Sequence, residues 1–318
     1  MSLAFVFPGQ GSQAVGMGQA LAEAFPVARH TFQEVDDALN QKLSRLMFEG
    51  PEEELRLTAN AQPALMAVSM AAVRVLESEG NLRLAGKAAY VAGHSLGEYS
   101  ALAAVGSLQV ADAARLLRRR GQAMQEAVPV GEGAMAALLG LDLEAAQAVA
   151  EEARAGSEGK DEVCQAANDN APGQVVISGH TAAVERACEI AKAKGAKRAL
   201  LLPVSAPFHC SLMAPAADVM AEALAAVVVA MPEVPLVANV TARHLSDPEE
   251  IRRKLVEQVT GMVRWRESVA YMAAQGVETV IELGAGKVLT GLNKRIDRTL
   301  AAHGAETPQE IEKVLAQL

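Results

Sequence analysis

A strand-like run, Ala88-Ala89-Tyr90-Val91-Ala92, passes straight into Gly93-His94-Ser95-Leu96-Gly97, and a helical pattern follows through Ala104. A strand that must become a helix over so few residues constrains this chain more than any other feature. Glycines on either side of a serine permit a backbone turn too sharp for ordinary residues. Such a turn lifts the serine hydroxyl clear of the sheet. The segment has the G-x-S-x-G pattern in the strand-turn-helix setting that a nucleophile elbow needs. Ser95 is therefore a candidate nucleophile, and the Leu96 amide points to where an oxyanion would form.

The neighbouring segments extend this pattern. Leu3 to Phe7 reads as a buried strand, followed by a turn with a close backbone approach over Pro8-Gly9-Gln10-Gly11-Ser12-Gln13. Helical patterns run over 17–48 and 61–79, broken by Gly50-Pro51 and by Gly80. Strand, helix, strand, helix in that order implies a largely parallel sheet covered on both faces. A helix ending near Ala127 leads into the hinge-like Val128-Pro129-Val130-Gly131-Glu132-Gly133. The next elements read β-α-β-β-α-β: strands at 134–139, 163–168, 174–178 and 198–202, with helices at 143–155 and 181–194. That order is the split βαβ, ferredoxin-like unit. Pro203 and Pro207 punctuate the return. Val277 to Leu283 reads as a late strand before the turn Gly284-Ala285-Gly286, and Thr307-Pro308-Gln309-Glu310 as a capping box. A length of 318 residues allows about two units. The expected fold class is α/β. An α/β-hydrolase-like large domain with a parallel sheet, over 1–127 and 203–318, carries an inserted small ferredoxin-like domain over 128–202.

Charge and cysteine content narrow the function. With 29 Lys and Arg against 38 Asp and Glu, the net charge is −9, the wrong sign for affinity to phosphate backbones. Nucleic acid is not an expected partner. Two local basic runs stand out, Arg115 with Arg118 and Arg119, and Lys192, Lys194, Lys197 and Arg198; solvated helix faces account for such runs as well. Three cysteines, Cys164, Cys188 and Cys210, are odd in number and lack C-x-x-C spacing. That pattern argues against a disulfide framework or a zinc site and fits a reducing cytoplasm. The apolar N-terminal run stops at Pro8, too short for a signal peptide. Elsewhere the longest apolar stretch, Ala221 to Met231, contains Glu222 and falls far short of the ~20 residues of a membrane span.

A serine nucleophile needs a base, and there are six histidines, His30, His94, His180, His209, His244 and His303. An elbow points His94 away from the hydroxyl, where it braces the turn. His30 and His303 fall in polar helical or tail segments, and His180 starts a helix of the small unit. His209 lies in a loop, Pro207-Phe208-His209-Cys210, the setting from which catalytic bases often project. On the helix from Asp112 to Ala127, residues Ala113, Leu116, Leu117, Met124 and Ala127 form an apolar stripe with Arg120 near its centre, while Arg118 and Arg119 point away. An inward guanidinium must be paired. Either a protein carboxylate meets it, or it is a fork held for a substrate carboxylate.

Two other motifs fail on context. Gly9-Gln10-Gly11-Ser12-Gln13-Ala14 fits G-x-G-x-x-A, but no second strand ending in an acidic residue follows about 20 residues on. Gly286-Lys287 is followed by Val288 and lacks the earlier glycine of a phosphate loop.

Several segments together resemble the malonyl-CoA:acyl carrier protein transacylases of fatty-acid synthesis, over nearly the whole chain. They are Phe7-Pro8-Gly9-Gln10-Gly11-Ser12-Gln13, Gly93-His94-Ser95-Leu96-Gly97-Glu98-Tyr99-Ser100, Arg120-Gly121 with Met124-Gln125-Glu126-Ala127-Val128-Pro129, Pro172-Gly173-Gln174-Val175-Val176-Ile177, Pro203-Val204-Ser205 through His209, and Gly284-Ala285-Gly286-Lys287-Val288-Leu289. The resemblance implies Ser95 as nucleophile, His209 as general base and acid, and Arg120 as clamp on the malonyl carboxylate. It implies an oxyanion hole from the Gln10 and Leu96 amides, and the Gln258 backbone carbonyl as the group that orients His209. Thr260-Gly261-Met262 departs from the family pattern close to Gln258. By the same analogy Asn168 and Asn170 line the site, and similarity to the related acyltransferase modules of polyketide synthases implies that Phe208, before the histidine, favours malonyl over methylmalonyl.

The expected reaction is a ping-pong transfer of malonyl from malonyl-CoA, through a malonyl-serine, to the phosphopantetheine thiol of acyl carrier protein. No metal or other cofactor is expected, nor a membrane partner, and the chain is expected to act as a monomer. A serine thioesterase or carboxylesterase uses the same elbow and histidine, and loading for a polyketide pathway uses the same transfer. Both remain open at this level, as does a binding or scaffold protein with a relic site.

Overall fold

The computed structural model describes residues 2–156 and 161–318. In chain order the strands are β1 (Leu3–Phe7), β2 (Ala88–Gly93), β3 (Gly133–Leu139), β4 (Cys164–Ala171), β5 (Gln174–His180), β6 (Arg198–Leu201), β7 (Leu236–Ala238), β8 (Arg243–Leu245), β9 (Thr279–Leu283) and β10 (Ala301–Ala305). The helices before the small sheet are α1 (Gln19–Ala24), α2 (Pro26–Leu39), α3 (Leu43–Glu49), α4 (Glu52–Arg56), α5 (Thr58–Gly80), α6 (Gly97–Ala104) and α7 (Val110–Glu126). Within and after it come α8 (Leu143–Ala155), α9 (Thr181–Ala193), α10 (Ala214–Ala225), α11 (Pro248–Thr260), α12 (Trp265–Ala274), α13 (Val288–Ile296) and α14 (Pro308–Leu315).

Six strands form the larger sheet in the order β10-β9-β1-β2-β7-β8. All neighbours are parallel except β8, which closes the edge antiparallel to β7. Alternation along β1 explains its burial on both faces. Phe5 and Phe7 join the core built with α5, α6 and α7, while Ala4 and Val6 face the opposite cluster with Trp265, Val269 and Leu289. The four-stranded sheet, β4-β5-β3-β6, is antiparallel throughout. Ala136, Leu138, Val175 and Ile177 pack on α8 and α9, and Met135 and Val176 on the other face join the core of the larger unit. The α/β architecture with a ferredoxin-like β-α-β-β-α-β element is thus the one observed. The domain limits expected at 127/128 and 202/203 fall in the connections on either side of the small sheet, and we propose them as the limits of a separately packed unit.

Several expectations need correction. The long helical pattern over 17–48 is three helices, because Phe25 and Pro26 and then Asn40, in the left-handed conformation, interrupt it. Strands β7, β8 and β10 were not expected from the pattern: β7 and β8 have three residues each, and Ala301-Ala302-His303-Gly304-Ala305 carries no β-branched side chain. His303 is consequently half-buried in an edge strand rather than in a polar tail. Arg118 does not simply point into solvent; it is half-buried and donates to Asn60 Oδ1 at 2.8 Å and to Gln41. Both lysines of the second basic run that lie nearest its start are already paired, Lys192 with Glu189 and Lys194 with Glu152. The capping box at Thr307 and Glu310 forms as read. Among the described residues no helix is long and apolar enough to cross a membrane.

The placement of α7 matters most for function. It lies against α5, and the contact closes at Gly121, where an added Cβ would stand 2.6 Å from both Ala59 Cα and Thr58 O. Backbone on both sides leaves no flexible side chain to yield. Gly121→Ala should therefore cost about 1–3 kcal/mol by overpacking, read as a lower denaturation midpoint at unchanged m-value. An unchanged midpoint would show that the two helices can slide apart.

Candidate active site

Three parallel strands of the larger sheet end at one crevice, the usual location for ligands in such sheets. Gln10 follows β1, Ser95 follows β2 and Asn239 follows β7. The β2 turn is steric in origin. A Cβ on Gly93 would lie 1.9 Å from Gly97 C, and one on Gly97 would lie 2.3 Å from Phe7 O. Ser95 itself has φ 52°, a left-handed conformation that ordinary residues avoid unless held there. The hold is Asn239, fully buried: its Oδ1 accepts from Ser95 N at 2.7 Å and its Nδ2 donates to Gly93 O at 2.7 Å.

Ser95 Oγ lies 2.8 Å from His209 Nε2. His209 is 4% exposed and also left-handed, with φ 57°. Its Nδ1 faces two backbone carbonyls, Gln258 O at 2.9 Å and Gly261 O at 3.1 Å. Carbonyl oxygens only accept, so Nδ1 carries the proton and Nε2 is free to take one from Ser95. Burial, and then the Arg120 charge, push His209 down to about 3, against the opposite pull of the Gln258 carbonyl. The imidazole is neutral near pH 7.

Arg120 is 1% exposed, and among the described residues its hydrogen-bond partners include no carboxylate. Its guanidinium donates to Gln62 Oε1 and Gln258 Oε1, both at 2.8 Å, and to Ser95 Oγ at 3.1 Å. Because Ser95 Oγ accepts from Arg120, its own hydrogen is left for His209. Nε of Arg120 is buried without a partner among the described residues. Burial lowers the guanidinium pKa, with Tyr99 and Glu98 opposing. The cation also sits 5.9 Å from the Tyr99 ring centroid. Gln62 is anchored in turn through Thr58 to Gln10: Gln62 Nε2 donates to Thr58 Oγ1 at 3.0 Å, and Thr58 Oγ1 to Gln10 Oε1 at 2.9 Å.

The amides of Gln10 and Leu96 have no acceptor among the described residues. Gln258 does more than offer a carbonyl, because its side chain bridges Arg120, Ser95 O at 2.9 Å and Glu98. Glu98 is 1% exposed, and burial pushes its carboxyl up to about 8, against the Asn239 amide, the Gln258 amide and the Arg120 charge. Other expected residues lie further out. Asn170 Oδ1 meets His94 Nε2 at 2.8 Å, so that His94, tilted against Trp265, braces the elbow from behind. Asn168 bridges to Val263, and Phe208 is buried in the main core. His30 is exposed, His180 accepts from Val163 N through Nδ1, and His244 stacks on Tyr271. The three cysteines are buried and free.

Gln62, Asn239, Glu98 and Gly261 were not singled out from the sequence. A glutamine inside the otherwise apolar Ala61–Met66 segment, placed to face α7, was the one available signal.

The chain matches a family model described as acyl transferase domain over residues 4–307. It is 51% identical over 313 residues to an Escherichia coli protein named malonyl CoA-acyl carrier protein transacylase, covering 98% of each. A Bacillus subtilis protein of the same name is 48% identical over 316 residues, 99% of this chain and 97% of its own length. Among solved structures, an acyl-carrier-protein-S-malonyltransferase from Bartonella henselae superposes with TM-score 0.96 at 57% identity, covering 100% of this chain and 99% of that one. A malonyl-transacylase in complex with a type II PKS acyl-carrier protein gives TM-score 0.95 at 45% identity, with 100% of both chains covered.

The depressed His209 pKa has a definite sign. A base whose pKa is lowered stays neutral, and so stays able to accept a proton, as pH falls. The second-order rate of Ser95 labelling by a fluorophosphonate should stay flat from pH 8 down to about pH 5. A fall centred near the ordinary histidine value would show that burial and Arg120 do not shift the ring.

Proposed function

The chain belongs to the acyl transferase domain family, and we propose that it transfers the malonyl group of malonyl-CoA to the phosphopantetheine thiol of acyl carrier protein, for fatty-acid chain elongation. The observation that carries the reading is Arg120, a buried cation within hydrogen-bonding reach of the Ser95 hydroxyl, with its second and third partners neutral amide oxygens. A neutral oxygen is a holding partner that a carboxylate can displace. A serine esterase of neutral acyl groups has no use for that charge. The malonyl carboxylate carbon is two bonds from the acyl carbon, a separation that suits a clamp beside the nucleophile.

In the proposed sequence, His209 Nε2 takes the Ser95 hydroxyl proton as Oγ attacks the thioester carbonyl. The Gln10 and Leu96 amides receive the developing oxyanion. The C–S bond breaks, the proton passes from Nε2 to the CoA sulfur, and malonyl-serine remains. The carrier thiol then gives its proton to His209 and its sulfur attacks the ester. The C–O bond breaks and Oγ takes the proton back. The Gln258 and Gly261 carbonyls hold the imidazolium in both halves. Arg120 fixes the acyl chain so that the thiol, held at high local concentration, meets the ester in line. Asn170 acts behind the elbow through His94, while Asn168, bridged to Val263, and Phe208, buried in the main core, support the site from further out. Free buried cysteines support a reducing cytoplasm as the place of action, with the chain working as a monomer.

Incubation with malonyl-CoA should add one malonyl group at Ser95, seen by intact-protein mass spectrometry, and acyl carrier protein should discharge it. No adduct would overturn the transferase reading, and discharge by water alone would favour a hydrolase. Arg120→Ala should lower malonyl loading by about 10- to 100-fold, the range for a lost charge-assisted hydrogen bond, while acetyl-CoA loading persists. Equal loss of both acyl groups would remove the clamp role.

A further inference from the structure

Glu98 lies one helical turn beyond Ser95 and touches none of the groups that react. Its two oxygens are nonetheless fully committed: Oε1 accepts from Asn239 N at 2.5 Å, and Oε2 from Gln258 Nε2. We propose that Glu98 is a positioning residue that fixes the orientation of the Gln258 amide and thereby the presentation of Arg120 to the acyl carboxylate. The inference rests on the transferase reading above and deepens it.

The argument is one of hydrogen-bond polarity. The Gln258 side chain has one accepting end and one donating end. Arg120 can only donate, so it needs the oxygen, and the structure supplies Oε1 at 2.8 Å. The donating end must then meet acceptors on the other side. It finds Ser95 O at 2.9 Å and Glu98 Oε2. Burial pushes the Glu98 carboxyl up to about 8, but both of its neighbours, Asn239 N–H and Gln258 Nε2, are donors, so a carboxyl proton has no acceptor to meet and the hydrogen bonding selects the ionised form. A glutamine of the same shape at position 98 carries a donor at one end. That end must face either the Asn239 amide or Gln258 Nε2, and a donor would face a donor. The Asn239 backbone cannot yield, because its side chain holds both Gly93 and Ser95. Relief comes at Gln258, whose amide turns its oxygen away from Arg120. His209 is indifferent to that turn, since it is held by the Gln258 backbone carbonyl at 2.9 Å.

Glu98→Gln should therefore separate two readouts. Ser95 labelling by a fluorophosphonate, which needs the elbow and His209 but no carboxylate clamp, should stay within about threefold of wild type. The kcat/KM for malonyl-CoA loading should fall about tenfold or more, mainly in KM, while acetyl-CoA loading is unchanged. In an Arg120→Ala background, Glu98→Gln should produce no further change in the malonyl to acetyl ratio. Wild type that takes up no malonyl would defeat the transferase reading itself. Wild type that prefers malonyl, with Glu98→Gln retaining the preference or losing both acyl groups alike, would defeat the positioning role alone. Should Glu98→Gln not accumulate as folded protein, Gln258→Met carries the same test: it removes Oε1 but keeps the carbonyl on His209, and a retained malonyl preference would equally overturn the proposal.

Discussion

A guanidinium buried to 1% exposure and held by two glutamine oxygens and a serine hydroxyl is the constraint from which the rest of the site follows. Removing such a charge from water costs several kcal/mol unless its hydrogens find oxygens. Here the oxygens belong to two glutamines and a serine. Each glutamine must then satisfy its own amide hydrogens, which recruits Thr58 and Gln10 on one side and Glu98 on the other. A direct salt bridge would have been simpler, but it would have spent the charge on the protein. Neutral partners leave the cation available to an arriving anion.

The same economy of charge governs the histidine. An aspartate behind the ring would raise its pKa, whereas two carbonyl oxygens orient it and leave burial and Arg120 to depress it. Cation and base thus stand close together only because the base is neutral. Proton transfer from Ser95 places a second positive charge, the imidazolium, beside Arg120, a state that the oxyanion and the acyl carboxylate both favour. Substrate charge belongs to the machinery.

The small sheet contributes from behind. Asp169, 1% exposed, receives Arg266 through both carboxylate oxygens, and Asp169 N donates to Val263 O at 2.9 Å. These contacts tie β4 to the start of α12, and the next residue, Asn170, touches His94 inside the elbow. The two sheets therefore meet at the turn that carries the nucleophile, and the placement of the small unit is coupled to Ser95 by a short chain of contacts.

The sequence by itself determined the features that rest on local periodicity. The strand-turn-helix at Ser95 follows from glycine spacing, the inward direction of Arg120 from the 3.6-residue repeat, and the β-α-β-β-α-β order of the small unit from alternating patterns. Three strands escaped because three residues, or an alanine-rich five, carry too little alternation to register. Among six histidines the loop position favoured His209, but only the fold put its ring 2.8 Å from a serine 114 residues away. Asn239, Gln62 and Glu98 were illegible for a related reason. Each acts through hydrogen bonds that span up to 160 residues of chain, and a polar side chain in a buried segment looks the same in sequence whether its partner is a neighbour or a catalytic group. Backbone donors and acceptors, such as the amides of Gln10 and Leu96 or the carbonyls of Gln258 and Gly261, are present at nearly every residue. Only tertiary structure decides which of them converge.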